Sequence, residues 1–314
     1  MRKGDAPIVA VATHGDAPAA TEDDGLALSL LADRHSLRVE AVPWDARSSW
    51  DRYAAVLVRS TWDYHRRPDE FLGWATGVEA AGTALWNPAE VVRWNADKTY
   101  LRDLEAAGVA VVPTRWMPPE SDVSLLDALG DRGWEEVVVK PSVGATAYRT
   151  RRLRSADVQR ESGSLADIPR DAGALIQPFL PEVCSDGEWS FMYFDDGSGS
   201  LEFSHAVVKR PASGDFRVQD AFGGTVERAV PPGDLLRQVD ETAATVSRLA
   251  PGPLLYARID GVVSDGMHGA AGTFLLMEAE LIEPVLFLAR SERAPDRFAE
   301  AIARRIGVLD GRRP

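Results

Sequence analysis

The sequence predicts an α/β protein that is divided into more than one lobe. Three observations support this fold class. Strands alternate with a helix over residues 8–59, apolar strands recur between residues 108 and 209, and two apolar runs flank a glycine-rich turn within Leu254–Pro284. The first pattern is typical of parallel α/β units, and the last is typical of an antiparallel hairpin. A length of 314 residues leaves room for both.

The first elements begin at Ile8. Residues Ile8–Thr13 (IVAVAT) are an apolar run of strand length, and Thr21 then precedes three acidic residues, which is the pattern of a capped helix start. The strands Leu37–Val42 and Ala54–Arg59 follow. Because ligands of parallel sheets bind beyond the carboxyl ends of the strands, the residues after the third strand are candidates for substrate binding.

A polar and aromatic segment stands at this position. Arg59 can hold a carboxylate through two parallel hydrogen bonds, and Asp63 can hold an ammonium group. An ordinary loop with a capping serine or threonine has a similar composition, so both interpretations stay open. The candidate substrate residues are Arg59, Ser60, Thr61, Trp62, Asp63 and Tyr64.

Two lysines lie next to predicted element boundaries. Lys98 closes the stretch Asn95–Lys98 that opens a helix, and Lys140 ends the strand Val137–Lys140. A loop of small residues around Gly144 follows this strand, and backbone N–H groups can cradle a phosphate where side chains are small. Lysine is usually a solvated surface residue, so only the wider pattern gives Lys98 a functional role.

Charged residues interrupt both apolar runs of the C-terminal hairpin. Arg258 and Asp260 share one strand face, and Glu278 and Glu280 share a face of the next strand, because side chains two residues apart point the same way. If these faces align, three carboxylates converge. Two buried carboxylates about 5 Å apart repel by roughly 3 kcal/mol at an effective dielectric constant of about 20. Oxygen ligands suit Mg²⁺, so we favour a metal site over a solvated sheet face.

These residues resemble the metal-binding end of the ATP-grasp ligases. In that family an Arg-x-Asp strand precedes a Glu-x-Asn strand, and the Asp, Glu and Asn hold two Mg²⁺ ions against the phosphates of ATP. Asp260 and Glu278 match this pattern, whereas Glu280 replaces the asparagine and adds a negative charge. Arg258 matches the arginine that faces the acceptor carboxylate and the transferred phosphoryl group. The resemblance implies three metal ligands, Asp260, Glu278 and Glu280, and a catalytic Arg258.

The resemblance covers residues 95–284 and also implies a nucleotide site. It makes Lys98 and Lys140 ligands of the ATP phosphates. The loop with Ser142 and Gly144 would close over the phosphates, although it has one glycine where the family often has three. The hinge that meets the adenine would be Gln177, Pro178, Phe179 and Leu180.

Three further residues follow from the same resemblance. Glu182 matches the acid that commonly binds the ribose hydroxyls. Arg217 precedes a Gly-Gly pair, as in the phosphate- and acceptor-binding segment of the family, and it lines the phosphoryl-transfer site together with Lys209. A flexible surface loop is the alternative for residues 211–225.

The family fold implies three segments. These are an N-terminal Rossmann-like pre-ATP-grasp α/β domain at residues 1–95, a small ATP-grasp lobe at 96–180, and a C-terminal ATP-grasp lobe at 181–314, both of α+β type. The implied activity is that of an ADP-forming ligase. ATP phosphorylates a substrate carboxylate to an acyl phosphate, and a nitrogen nucleophile displaces phosphate to form a carbon–nitrogen bond. The implied cofactors are ATP and Mg²⁺, with Mn²⁺ as an alternative metal.

Two segments are similar to the O-ureido-D-serine cyclo-ligase group of cycloserine biosynthesis, RSTWDYHRRPDEFLGW and LWNPAEVVRWNADKTYLRDL. Those ligases activate the carboxylate of a small amino acid and close a ring with its own nitrogen. Residues Arg59–Tyr64 would bind the amino acid. An intermolecular amino-acid or dipeptide ligase, including a glutathione-synthetase-like enzyme, would use the same residues. A non-catalytic ATP-binding module is the alternative from another class of protein.

Composition limits the partners and the compartment. The net charge of −13 and the lack of a basic run argue against nucleic acid, and no apolar run approaches the roughly 18 residues of a membrane span. The apolar run near the start is too short for a signal peptide, and the single cysteine, Cys184, excludes an internal disulfide. We expect a cytoplasmic enzyme that acts on a small amino-acid-like carboxylate, and a homodimer is compatible with the sequence.

Overall fold

The computed structural model describes residues 6–120, 132–154, 156–157 and 173–307. These residues form three four- or five-stranded sheets with helices packed between and around them. Each of the three expected segments contains one sheet, and the divisions at residues 95 and 180 stay a prediction. No helix in the described ranges is both long and apolar enough to cross a membrane.

The N-terminal sheet is parallel, with strand order β2-β1-β3-β4. Thr21 caps the first helix, because its hydroxyl accepts a 3.0 Å hydrogen bond from the N–H of Asp24. The predicted strands and helix start are confirmed, with the first strand exact and the bounds of the next two shifted by one residue. The elements are β1 (Ile8–Thr13), α1 (Glu22–His35), β2 (Arg38–Pro43), β3 (Ala55–Val58), α2 (Pro68–Ala80) and β4 (Ala84–Trp86).

The middle of the chain forms an antiparallel sheet with strand order β5-β8-β6-β7. Two short helices lead into it from the N-terminal sheet. Lys140 is the penultimate residue of its strand, at the end where it was predicted. The elements are α3 (Ala89–Ala96), α4 (Tyr100–Ala106), β5 (Arg115–Met117), β6 (Glu136–Pro141), β7 (Arg151–Arg154) and β8 (Ala174–Pro178).

The C-terminal part contains an antiparallel sheet with strand order β11-β10-β9-β12-β13. Its elements are α5 (Glu182–Ser185), β9 (Glu188–Asp195), β10 (Leu201–Arg210), β11 (Thr225–Ala229), α6 (Gly233–Leu249), β12 (Tyr256–Val263), β13 (Phe274–Glu280) and α7 (Ala294–Arg305). Short 3₁₀ turns lie at Trp50–Arg52, Tyr64–Arg66, Asp220–Phe222 and Leu288–Arg290.

The predicted hairpin is confirmed with the register that aligns its charged faces. Arg258 pairs with Glu280 and Asp260 pairs with Glu278 across β12 and β13. A bulge follows Asp260, where the register shifts by one residue. Pairs directly opposite each other on neighbouring strands have Cβ atoms about 5 Å apart, so these four side chains are close neighbours.

One apolar core joins the first sheet to the last helix. Val9 and Val11 of β1 pack with Leu31 of α1 and with Phe298 and Ile302 of α7, and all five side chains are fully buried. The chain thus returns to its N-terminal part after the C-terminal sheet is complete. Separating the N-terminal sheet from the last helix would expose this apolar core, so the packing fixes their relative position.

The outer edge of β13 is closed by groups that precede it in the chain. Leu276 exchanges backbone hydrogen bonds of 2.8 and 3.1 Å with the loop before β5. The Tyr100 hydroxyl accepts a 2.9 Å hydrogen bond from the N–H of Ala279. The Asn95 amide donates to the carbonyl of Ala279 at 2.8 Å and accepts from the N–H of Leu281 at 2.9 Å. These bonds use edge groups that would otherwise lack a partner, and they fix the strand's position.

Asn87 provides a test of this arrangement. It is fully buried, donates to the carbonyls of Tyr256 and Leu281, and accepts from the N–H of Leu255. Asn87→Ala leaves these groups without partners, so the free energy of unfolding should fall by about 2–4 kcal/mol, measured by urea denaturation. Glu90→Gln, an exposed position nearby, should change it by less than about 0.5 kcal/mol. Equal effects of the two variants would contradict the role of Asn87.

Candidate active site

A cleft of about 390 Å³ is lined by residues from all three parts of the chain. It lies beside Lys98, the end of β6 and the loop after it, the hinge after β8, and strands β10, β12 and β13. Five basic and five acidic side chains of the described chain line it, so opposite charges balance. They are Lys98, Lys140, Lys209, Arg217 and Arg258, and Glu188, Asp260, Glu278, Glu280 and Glu283.

Asp260 is the centre of a buried charge network on β12. Its carboxylate accepts hydrogen bonds from the Ser190 hydroxyl at 2.6 Å and the Arg258 guanidinium at 2.8 Å, and the Lys209 ammonium lies 3.4 Å away. Glu188 lies 2.5 Å from the same ammonium. Burial disfavours the charged carboxylate, but Arg258 and Lys209 outweigh burial and hold the pKa of Asp260 at about 2. Asp260 is therefore ionised at neutral pH.

The two acids of β13 contact different cations. Glu278 lies 3.0 Å from the Lys98 ammonium and keeps 29% of its side chain exposed to the cleft. Glu280 contacts the guanidinium of Arg258. Burial raises the pKa of Glu280 to about 7, with Arg258 opposing the shift and the charges of Asp260 and Glu278 adding to it. The neighbouring acids of one strand thus differ in charge state near neutral pH.

Lys140 and Glu283 differ from the other charged residues of the cleft. Neither makes an ion pair or a side-chain hydrogen bond within the described ranges. Burial lowers the pKa of Lys140, and burial together with Glu280 raises the pKa of Glu283 well above its ordinary value. A buried charge without a partner is costly, so these two groups are the best placed to receive the opposite charges of a ligand.

The loop after β6 is held against Lys98. The Lys98 ammonium donates a 2.6 Å hydrogen bond to the carbonyl of Gly144, so one lysine touches both this loop and Glu278. Ser142 was expected to bind the nucleotide, but it does not line the cleft. It is buried behind the loop, and its hydroxyl donates to Asp97 at 3.1 Å. Ser142 therefore anchors the loop.

The hinge residues Gln177, Pro178, Phe179 and Leu180 line one wall of the cleft. Glu182, the expected ribose ligand, does not line it and is 2% exposed. Its carboxylate accepts a 3.1 Å hydrogen bond from the N–H of Asp265 and so ties the hinge to the hairpin turn. The acid that faces the cleft here is Glu188, which the sequence interpretation missed. Its signal was an acid between a glycine and an apolar strand.

Arg217 lines the cleft from the loop at residues 211–225. Its guanidinium donates to Asp215 at 3.0 and 2.7 Å and stacks on the ring of Phe222 at 3.6 Å. These contacts fix the side chain while 33% of it stays exposed. A positive charge is thus held at the cleft rim.

Two of the six predicted substrate residues line the cleft, Trp62 and Tyr64. Burial, and then the charge of Glu283, raises the pKa of Tyr64 well above its ordinary value. Ser60 and Thr61 do not line the cleft. Both are buried, and their hydroxyls have no hydrogen-bond partner among the described residues.

Arg59 and Asp63 do not take the substrate-binding positions that were expected. Arg59 is 2% exposed, and its guanidinium pairs with Asp24 at 2.9 Å. The carboxylate of Asp63 accepts from the indole of Trp44 at 2.9 Å and from Arg67 at 3.1 Å. Both residues bind other groups of the protein and neither lines the cleft, although Nη1 of Arg59 has no hydrogen-bond partner among the described residues.

Arg59 instead belongs to a set of side chains that hold residues 281–287, here called the clamped segment. This segment follows β13 and pairs with no strand among the described residues, so its carbonyls need other donors. Seven consecutive carbonyls each accept a hydrogen bond of 2.7–3.2 Å from a side chain. The donors, from Leu281 to Phe287, are Asn87, Tyr256, Trp62, Arg59, Arg258, and His205 for the last two carbonyls.

Three converging carboxylates were expected to hold a metal ion, and this expectation stays a prediction. In the described part of the chain, no three His, Cys, Asp or Glu side chains are arranged as a metal site. Lys98, Lys209 and Arg258 neutralise the predicted ligands instead. The donor set nevertheless fits Mg²⁺, because this ion takes one or two carboxylates together with substrate phosphates, and Glu278 is partly exposed.

Solved structures show the class of protein to which this fold belongs. D-alanine–D-alanine ligase from Bacillus anthracis superposes with a TM-score of 0.66 at 17% identity, covering 97% of this chain and 98% of that chain. A RimK-domain ATP-grasp protein from Sphaerobacter thermophilus has a TM-score of 0.62 at 18% identity, covering 94% and 99%. These likenesses show the fold of the ATP-grasp ligases.

The chain belongs to the DcsG family of these ligases. It is 35% identical over 295 residues to "Cycloserine biosynthesis protein DcsG" of Streptomyces lavendulae, covering 86% of this chain and 89% of the relative. The crystal structure of D-cycloserine synthetase DcsG has a TM-score of 0.80 at 30% identity, covering 95% and 99%. The family model for the N-terminal domain of D-cycloserine synthetase DcsG matches residues 9–87.

The role of Arg59 in the clamped segment can be tested through its buried partner. Arg59→Met leaves Asp24 buried without a counter-charge, so the free energy of unfolding should fall by about 3–5 kcal/mol in urea denaturation. Adding Asp24→Asn removes that charge and should restore part of the loss. A stable Arg59→Met variant with only a raised KM would instead support the original assignment as a substrate ligand.

Glu280 should make stability depend on pH in the nucleotide-free protein. Its pKa is about 7 in the folded protein and 4.5 in the unfolded chain. The folded state therefore keeps a proton that the unfolded state has released, and the free energy of unfolding falls as pH rises from 4.5 to 7. Glu280→Gln removes this loss. The variant should gain about 1–3 kcal/mol over the wild type between pH 4.5 and pH 8, measured by urea denaturation. A difference that is constant over this range would contradict the assignment.

Proposed function

We propose that this ligase activates the carboxylate of a small amino acid as an acyl phosphate and closes a ring with a nitrogen of the same molecule. O-ureido-D-serine is the leading substrate. The relative's name, cycloserine biosynthesis protein, and the similarity over most of both chains support this choice. One observation carries the proposal. Arg258 pairs with Glu280 and Asp260 pairs with Glu278, and this register brings the side chains expected to act in phosphoryl transfer to one wall of the cleft.

The nucleotide would lie between the hinge and β13. Phe179 and Leu180 offer apolar surface for the adenine, and Glu188 offers a carboxylate in place of Glu182. Lys140 would bind the phosphates, because it is the cleft cation without a carboxylate partner among the described residues. Its proposed role follows from charge, because the ATP phosphates would supply the counter-charge that the Lys140 ammonium lacks.

The chemistry would proceed in two balanced steps. A substrate carboxylate oxygen attacks the terminal phosphorus of ATP, the bond to ADP breaks, and an acyl phosphate forms. The nitrogen then attacks the acyl carbon, phosphate leaves, and the nitrogen loses one proton to water or to the departing phosphate. Arg258, Lys209 and Arg217 would stabilise the negative charge that develops on the transferred group. Asp260 keeps the first two oriented through its ion pairs.

Mg²⁺, or Mn²⁺ in its place, would be held by Glu278 with Asp260 and Glu280 beside it. The ion would neutralise phosphate charge, which the balanced lining of the cleft does not do by itself.

The division into segments at residues 95 and 180, a cytoplasmic location and an assembly as a homodimer remain parts of the proposal. A small amino-acid-like carboxylate is the expected partner, with no role for nucleic acid or a membrane.

ADP and phosphate release with a panel of amino acids, with and without an added amine, tests the proposal. Turnover with one amino acid alone indicates ring closure. A requirement for a second amine indicates an intermolecular ligase and overturns the cyclisation. ATP binding without ADP release on any acid would overturn the whole proposal.

Glu278→Gln tests the phosphoryl-transfer site. The amide keeps the shape but removes the charge that faces Lys98 and the phosphates, so ADP formation should fall by at least about 100-fold. Lys98 also loses its ion-pair partner, so the thermal unfolding temperature should fall, and turnover is compared at a temperature at which the variant is still folded. Glu202→Gln, an exposed acid on β10, is the matched control and should retain full activity. Unchanged turnover in Glu278→Gln would rule out its role.

A further inference from the structure

Glu283 is the acidic residue of the cleft that the reaction outlined above leaves without a role. The other four cleft acids each contact a lysine or an arginine. Glu283 has neither an ion pair nor a side-chain hydrogen bond within the described residues, although its side chain lines the cleft. The position therefore offers a carboxyl group to a ligand at no cost to an existing contact, and a bound cation would favour its ionised form.

The clamped segment fixes where this carboxylate lies. The carbonyl of Glu283 accepts from the indole of Trp62 at 3.2 Å, and the carbonyl of Pro284 accepts from Arg59 at 2.7 Å. Arg258 donates to the carbonyl of Val285 at 3.0 Å. The backbone on both sides of Glu283 is thus held, and the arginine that would meet the substrate carboxylate is part of the same set of contacts.

We propose that Glu283 binds the ammonium group of the amino-acid substrate and makes the enzyme selective for amino acids over other carboxylic acids. Arg258 and Glu283 would then bind the two charged ends of one zwitterion. An ammonium held by a carboxylate has no free electron pair, so this nitrogen is kept out of the reaction and another nitrogen of the substrate closes the ring. The inference rests on the proposed function, because it names a specificity residue of the same site.

The surroundings of Glu283 agree with an ammonium ligand. Trp62, Tyr64 and Phe287 line the cleft nearby and offer aromatic surface, which attracts cations. Burial and the charge of Glu280 disfavour the ionised carboxylate in the free protein, and a bound cation removes that penalty. An anionic ligand at this position would meet the opposite effect.

The experiment compares two substrates on matched variants. KM and kcat for ADP release are measured with O-ureido-D-serine and with its analogue that carries hydrogen in place of the α-amino group. In Glu283→Gln, KM for the amino acid should rise roughly 30- to 300-fold, whereas KM for the analogue should change by less than about threefold. The control Glu292→Gln, an exposed acid outside the cleft, should leave both values unchanged.

Two further measurements separate the outcomes. ADP affinity should be the same in Glu283→Gln and the wild type, which shows that the variant is folded. Glu283→Asp keeps the charge and should recover part of the preference, which covers the case of a Gln variant that fails to fold. Equal loss for both substrates, or no loss for either, overturns the role of Glu283 while the ligase activity of the wild type stands. Absence of turnover by the wild type with every acid of the panel overturns the proposed function and this inference together.

Discussion

The need to pair buried charges is the constraint on which the rest of the site depends. Burying a charge costs several kcal/mol unless a partner of opposite sign is in place, and breaking a buried pair costs about 3–5 kcal/mol. In this protein the acids of β12 and β13 meet cations from other elements, such as Lys98 before α4 and Lys209 on β10. These pairs form only when the parts of the chain are assembled, so the charge network and the cleft depend on each other.

The clamped segment shows the same constraint for the backbone, because its buried carbonyls need hydrogen-bond donors. Residues 281–287 leave the sheet and are largely buried, so unpaired carbonyls would be costly there. Side chains from the loop after β3, from β10 and β12, and from the residue after β4 provide the donors. The result is an irregular backbone that is held by side-chain hydrogen bonds. These bonds fix the position of Glu283 at the wall of the cleft. Preorganisation of this type lowers the cost of ordering a substrate.

The roles assigned to polar residues differ in how well the sequence predicts them. Arg258, Asp260 and Glu278 were placed correctly relative to each other, because strand periodicity and one hairpin register decide their geometry. Arg59 and Glu182 were placed incorrectly. Glu182 lies next to Val183 and Arg59 lies three residues before Trp62, and both Val183 and Trp62 line the cleft. At the ends of strands the backbone turns, and a shift of one residue exchanges the cleft for the interior. No local pattern distinguishes these two directions.

The sequence by itself determined the α/β class, the strands, the hairpin and the chemistry of its charged faces, because these follow from short-range periodicity and turn residues. It also indicated the ligase family, since the spacing of many residues along the chain carries that information. The tertiary structure alone decided that Arg59 clamps a carbonyl, that Glu188 rather than Glu182 faces the cleft, and that Lys140 and Glu283 make no ion pair with another described residue. Those facts depend on contacts between residues far apart in the chain. Such contacts arise from packing and from the pairing of buried charges, which no local pattern encodes.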